Sequence, residues 1–254
     1  MILIDTHTHI YYDNYSDRMD DVIQTAANNG VEKIISVGVD LATSEECIKL
    51  SEKYPSVYAA CGYHPHEAAK APRGYLYELE EFYTHNKVVA VGEIGLDYHY
   101  NFSEPRDQKK VYLEQLEMAH SLDLPVVIHC RQSDDDILAG ILQSGHSYGV
   151  IHCFASDLDF ANSILKTGFC ISFTGMITFI KELEEVVREV PLKKMMVETD
   201  SPYLTPKPHR GKKNEPAYVV HVAEKIAELK EISMEEVAEA TTKTAYDLFT
   251  RLKS

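Results

Sequence analysis

Ile2-Leu3-Ile4-Asp5-Thr6-His7-Thr8-His9 opens with a short apolar run that gives way to an acid and two histidines. Consecutive apolar residues without alternation read as a strand buried on both faces, the habit of a parallel sheet. After this run at residues 2–4, similar runs recur at 33–39, 57–61, 88–91, 126–128, 150–151, 169–173 and 195–197. Helical stretches lie between most of them, at 17–29, 43–53, 75–85, 105–121, 134–144, 158–166 and 179–190. Strand then helix, about eight times over, predicts an α/β protein built as a single (β/α)8 TIM barrel spanning residues 1–254. An open doubly wound sheet is the alternative, because periodicity does not say whether the sheet closes.

Local punctuation agrees. Gly30 and Gly168 follow helical runs, where a C-terminal glycine is expected, and Asp123-Leu124-Pro125 marks entry into a strand. Beyond the eighth strand come a Pro- and Lys-rich loop at 205–215 and two helices at 217–230 and 234–253, the last capped by Ser233 with Glu236 at capping-box spacing.

A chain of 254 residues suits one barrel, and no linker or low-complexity stretch divides it. The first residues reach Asp5 and the histidines before a long apolar region develops, so the expectation is a cytoplasmic protein with no membrane association. No obligate protein partner is evident. Cys47, Cys61, Cys130, Cys153 and Cys170 lack CxxC spacing, and their odd number predicts reduced thiols. The net charge of −15 argues against a broad grip on nucleic acid, which needs many Lys and Arg on phosphates. It leaves room for a small site, since bound cations invert the local charge.

Two-residue spacing in a strand puts His7 and His9 on one side of the chain. Glu93, His129, His152 and Asp200 stand after other predicted strands at the same end. Barrel enzymes gather their catalytic groups from the C-terminal ends of separate strands. Six unrelated polar groups there would each need a partner against desolvation, whereas shared metal ions satisfy them together.

These residues sit in longer runs: Asp5-Thr6-His7-Thr8-His9, Gly62-Tyr63-His64-Pro65-His66, Gly92-Glu93-Ile94-Gly95-Leu96-Asp97-Tyr98, His129-Cys130-Arg131, His152-Cys153-Phe154, Glu198-Thr199-Asp200-Ser201-Pro202-Tyr203-Leu204 and Arg210-Gly211-Lys212-Lys213-Asn214-Glu215-Pro216. In this order, nearly end to end, the chain resembles the TatD family of metal-dependent deoxyribonucleases, within the wider amidohydrolase-like hydrolases. The resemblance implies two divalent metal cations per chain. His7, His9, Glu93 and Asp200 would hold one, and Glu93, His129 and His152 the other, with Glu93 as the bridge where related amidohydrolases often use a carbamylated lysine. Thr244 stands where the family pattern has Asn; it lies on a predicted helix, so the departure concerns helix packing rather than chemistry.

Two such cations acidify a water enough for it to attack phosphorus near neutral pH, and Asp200 is the expected general base, with Glu93 the other catalytic carboxylate. The expected substrate is DNA, cut at single-stranded ends. Candidates for contact with its phosphates are His64, His66, His99, Arg131 and the basic run Lys207, His209, Arg210, Lys212 and Lys213. The run reads equally well as a solvated loop, with Glu215 paired to one of its bases. Phe154, Tyr63, Tyr98 and Tyr203 adjoin the motifs and are candidates to stack on bases. Imidazoles favour Zn, Mn, Co or Ni and oxygen ligands favour Mg, so the identity of the metal stays open. The rival functions are hydrolysis of another ester or amide, such as an aminoacyl ester or lactone, by the same metals, and a non-catalytic binding barrel.

Overall fold

A computed structural model describes residues 1–100 and 102–253. Its eight strands are β1 (Leu3–Thr8), β2 (Val31–Val37), β3 (Val57–Cys61), β4 (Val88–Asp97), β5 (Val126–Arg131), β6 (Gly149–Ile151), β7 (Cys170–Phe173) and β8 (Met195–Val197). Each pairs in parallel with the next, so spatial order equals chain order. The crossovers are α1 (Met19–Asn28), α2 (Leu41–Lys53), α3 (Tyr75–Phe82), α4 (Pro105–Leu122), α5 (Asp134–Ser144), α6 (Leu158–Lys166) and α7 (Glu184–Glu189), followed by α8 (Val219–Lys230) and α9 (Met234–Leu248).

The sheet closes on itself, which removes the open-sheet alternative. Closure falls at the C-terminal rim, where Thr8 bridges to Ser201, the His9 N–H donates to the Ser201 carbonyl at 2.8 Å, and the Asp200 N–H donates to the His7 carbonyl at 2.9 Å. The result is a (β/α)8 barrel with its strand ends held in register.

Alternation along the strands separates two apolar layers. Ile4, Ile35, Val37, Tyr58, Val89, Val127, Val150 and Met196 pack together with Leu248, Phe249 and Leu252 from the end of the chain. These C-terminal residues plug the N-terminal end of the barrel, where Thr242 on α9 donates to the Ile2 carbonyl at 2.9 Å. The larger layer joins the sheet to the surrounding helices. Ser233 and Glu236 form the reciprocal capping box on α9, and the Thr244 hydroxyl ties the same helix to the Lys193 carbonyl at 3.2 Å.

Some boundaries differ from the sequence expectation. β4 runs to Asp97 rather than ending at 91, so Glu93 lies inside a strand. Its glycines permit this extension. A Cβ on Gly95, whose φ is +140°, would lie 2.0 Å from the His129 carbonyl oxygen, and one on Gly92 would meet the Val127 Cβ at 2.6 Å. Only glycine lets β4 come this close to β5. The helix expected over 17–29 begins at Met19 after a 3-10 turn at Ser16–Arg18, and that expected over 179–190 shortens to α7. All five cysteines are free thiols. No helix among the described residues is long and apolar enough to cross a membrane.

Candidate metal centre

The C-terminal rim brings His7, His9, Glu93, His129, His152 and Asp200 together. His7 ends up beside His9, with Nε2 atoms 3.3 Å apart, because the chain stays extended from the end of β1 into His9 and both side chains leave it on one side. Nδ1 of His9 donates to the Val37 carbonyl at 2.8 Å, which turns its Nε2 lone pair toward the cluster. Asp200 adopts φ +54°, a left-handed conformation that Asp tolerates better than most residues, and its Oδ1 lies 3.5 Å from His9 Nε2.

Glu93 is at the middle. Its Oε2 faces His7 Nε2 at 3.4 Å and His9 Nε2 at 3.8 Å, while Oε1 faces His152 Nε2 at 2.8 Å, His129 Nδ1 at 2.9 Å and His64 Nε2 at 3.4 Å. Burial pushes the Glu93 pKa up, but the fields of His152, His64 and His7 and the hydrogen bond from His129 hold it well below the usual carboxylate range. His152 shows the converse: burial alone would lower it, yet Glu93 and Glu198 raise it well above an ordinary histidine.

Three overlapping groups could hold a metal ion: His7, Glu93 and His152; His7, His9 and Asp200; and His64, Glu93 and His129. The residues fit such an ion. Imidazole nitrogens face one another at 3.3 and 3.4 Å, His7 with His9 and His129 with His152, and Glu93 and Asp200 carboxylate oxygens lie 3.4 and 3.5 Å from His7 and His9, so lone pairs of both kinds converge as a divalent cation requires. Nitrogen mixed with carboxylate oxygen, and no thiolate, is a donor set for divalent cations of the first transition row and zinc.

A cleft of about 720 Å³ opens above this cluster. His64 and Arg131 line it, as the sequence suggested for substrate contact, although His64 reaches down to Glu93 and stands among the candidate ligands. His99 and Arg210 do not line it. His99 points to solvent, its N–H tied to Asp97 at 2.9 Å, and Arg210 is drawn back by the Thr205 carbonyl at 3.0 Å and by the Phe179 ring 4.0 Å beneath its guanidinium. Two more members of the basic run are engaged elsewhere. His209 stacks on Tyr218 at 4.1 Å, Lys213 donates to Asn14 at 2.8 Å, and Glu215 pairs with Arg18 instead of a base in its own loop. Of the four aromatics expected to stack, Phe154 and Tyr63 are buried and the Tyr98 hydroxyl is bound to Asp136 at 2.8 Å; Tyr203, 52% exposed, does line the cleft.

The family model described as TatD related DNase matches residues 4–250. The chain belongs to the TatD family. It is 41% identical over 252 residues to an uncharacterized metal-dependent hydrolase, YabD, of Bacillus subtilis, covering 98% of this chain and 99% of that one. It is 34% identical over 266 residues to a putative deoxyribonuclease, tatdn3, of Danio rerio, covering 98% of each. Among solved structures, the TatD homologue YJJV of Escherichia coli K12 superposes with a TM-score of 0.92 at 31% identity over 98% of both chains. As a TatD-family protein the chain is a metal-dependent hydrolase.

Two carboxylates escaped the sequence reading of this TatD-family site. Asp97, fully buried at the end of β4, accepts from His129 Nε2 at 3.1 Å and His66 Nε2 at 2.8 Å, so Nδ1 of His129 is left to face Glu93. Burial opposes ionisation of Asp97, but hydrogen bonds from His129, His66 and the Tyr100 backbone take its pKa far below the ordinary value. Glu198, just past β8, accepts from the Cys153 N–H at 2.6 Å and His152 Nδ1 at 3.3 Å, orienting the other edge of that imidazole toward Glu93. Both lie inside quoted motifs, yet no spacing rule distinguishes a carboxylate that orients a histidine from one that binds an ion.

Proposed function

We propose that this chain is a divalent-metal-dependent phosphodiesterase that cleaves DNA at single-stranded ends, using two cations. The observation that carries the reading is the divided Glu93 carboxylate, one oxygen turned to His7 and His9 and the other to His129 and His152. His7, His9, Glu93 and Asp200 would hold one cation, and Glu93, His129 and His152 the second, with Glu93 shared. When bound, such ions acidify a water and neutralise charge on the phosphoryl oxygens.

The chain's own groups supply the rest. Asp200 faces the cleft and takes the proton of the attacking water, a general-base role for which its ionised form is ready: burial works against ionisation, but His9 and His7 keep its pKa below the ordinary value. Asp97 and Glu198 lock the rings of His129 and His152, so no reorganisation is needed when substrate enters. Arg131 lines the cleft and attracts an incoming phosphate. The family model and the printed name of the Danio rerio relative favour DNA over other esters.

Metal-replete protein should be assayed on end-labelled single-stranded and duplex DNA beside a panel of lactones, aminoacyl esters and cyclic amides. Shortening of the single strand from its end, abolished by prolonged chelation, is expected. Turnover of a member of the small-molecule panel with none of the DNA would transfer the same metals to a different bond and end the nuclease reading.

A further inference from the structure

Four Phe and Tyr rings among the described residues are exposed, and three of them, Tyr100, Phe102 and Tyr203, gather around the cleft. Tyr100 lines the cleft, and its backbone N–H donates to Asp97 Oδ1 at 3.0 Å. Phe102, 64% exposed, lies against it with ring centroids 5.4 Å apart and planes inclined by 26°. His66 abuts Phe102 edge-on at 4.8 Å and Tyr100 at 5.6 Å, and the Arg131 guanidinium lies 4.8 Å from the Tyr100 centroid. Phe102 is therefore held against Tyr100 and left open to water, forgoing the stabilisation that burial provides, while the Arg131 guanidinium lies over the Tyr100 ring. Arg131 forms no ion pair among the described residues, so its charge is available to a ligand.

The geometry points to a nucleobase-binding ledge: Tyr100 and Phe102 stack on an unpaired base beside the scissile phosphate, and Arg131 holds a neighbouring phosphate. The assignment rests on the phosphodiesterase reading and adds what selects the substrate. Stacking tolerates any base because every base has a π face, whereas a base inside a duplex has both faces covered. The ledge adjoins His66, whose ring lies 6.2 Å from that of His129, so a strand whose phosphate sits over the cluster brings its next base to these rings. A short aliphatic ester or lactone has nothing to place there.

The chain contains no tryptophan, so Phe102→Trp introduces one fluorophore, at the ledge. Mixing the metal-loaded variant in stopped flow with a short thymidine oligonucleotide should quench that indole before turnover, while an abasic oligonucleotide with the same number of phosphates should leave it bright. In steady state the double variant Tyr100→Ala, Phe102→Ala should raise KM for the thymidine oligonucleotide about tenfold and leave KM for the abasic one unchanged. Equal quenching by both oligonucleotides, or an equal KM change on both, overturns the ledge while leaving the phosphodiesterase intact. If wild-type protein cleaves neither, the phosphodiesterase reading falls and the ledge with it.

Discussion

Asp5 and Thr199 are joined twice: the Thr199 N–H donates to Asp5 Oδ1 at 2.8 Å and its hydroxyl donates to Oδ2 at 2.6 Å, with both residues excluded from solvent. This clamp ties the first strand to the segment after the last. It lies one residue before Asp200 and two before His7, so barrel closure and cluster geometry share the same pair of residues.

Asp5→Ala leaves a buried N–H and a buried hydroxyl without their acceptor. The expected cost is about 3 kcal/mol, read by urea denaturation of the metal-free protein. Asn keeps one acceptor oxygen for the Thr199 N–H, and its amide N–H can face the Thr199 hydroxyl, which also accepts. Asp5→Asn should recover most of the loss; an Asn variant as unstable as the Ala variant would remove the clamp from the account.

Glu198→Gln keeps every candidate ligand and alters only the group that orients His152. Affinity for divalent ions should fall by roughly 10- to 100-fold, measured by competition with a chromophoric chelator. An unchanged affinity would mean that His152 needs no orienting partner.

Asp200→Asn tests the general base. Turnover should drop by roughly 10²- to 10⁴-fold with the circular dichroism spectrum preserved and metal still bound through His7, His9 and Glu93. Retention of wild-type kcat would exclude Asp200 from proton transfer.

Gly95→Ala places a methyl group 2.0 Å from the His129 carbonyl oxygen at a φ that disfavours any side chain. Strands β4 and β5 must part, at a cost of about 3 kcal/mol, and Glu93 and His129 move with them. A variant with wild-type Tm and wild-type metal affinity would show that this close approach is dispensable.

His146, far from the cluster in the loop before β6, is buried against Tyr148 and Phe169, and its ring nitrogens make no well-formed hydrogen bond among the described residues. Burial lowers its pKa below 6.5, so the unfolded chain takes up a proton first as pH falls. This residue therefore weakens the fold progressively as pH drops below about 6.5 through its own lowered pKa. His146→Leu should gain about 1 kcal/mol at neutral pH and more at mildly acid pH. Parallel stability–pH curves for the two proteins would contradict this.

The sequence by itself determined the alternation of strands and helices and the six candidate ligands, because both obey local rules. A strand declares itself by an unbroken apolar run, and a polar residue at its C-terminal end stands out against that run, as His7, Glu93 and His129 do. Closure of the sheet was not legible, since the bridge from Thr8 to Ser201 joins residues from opposite ends of the chain. Nor was the supporting layer: Asp97 and Glu198 matter through hydrogen bonds to histidines on neighbouring strands, and such partnerships exist only once register is set. The aromatics separate for the same reason. Tyr63 and Tyr100 look alike in sequence, yet one packs into the wall and the other stands on the rim, because exposure belongs to the fold and not to the residue.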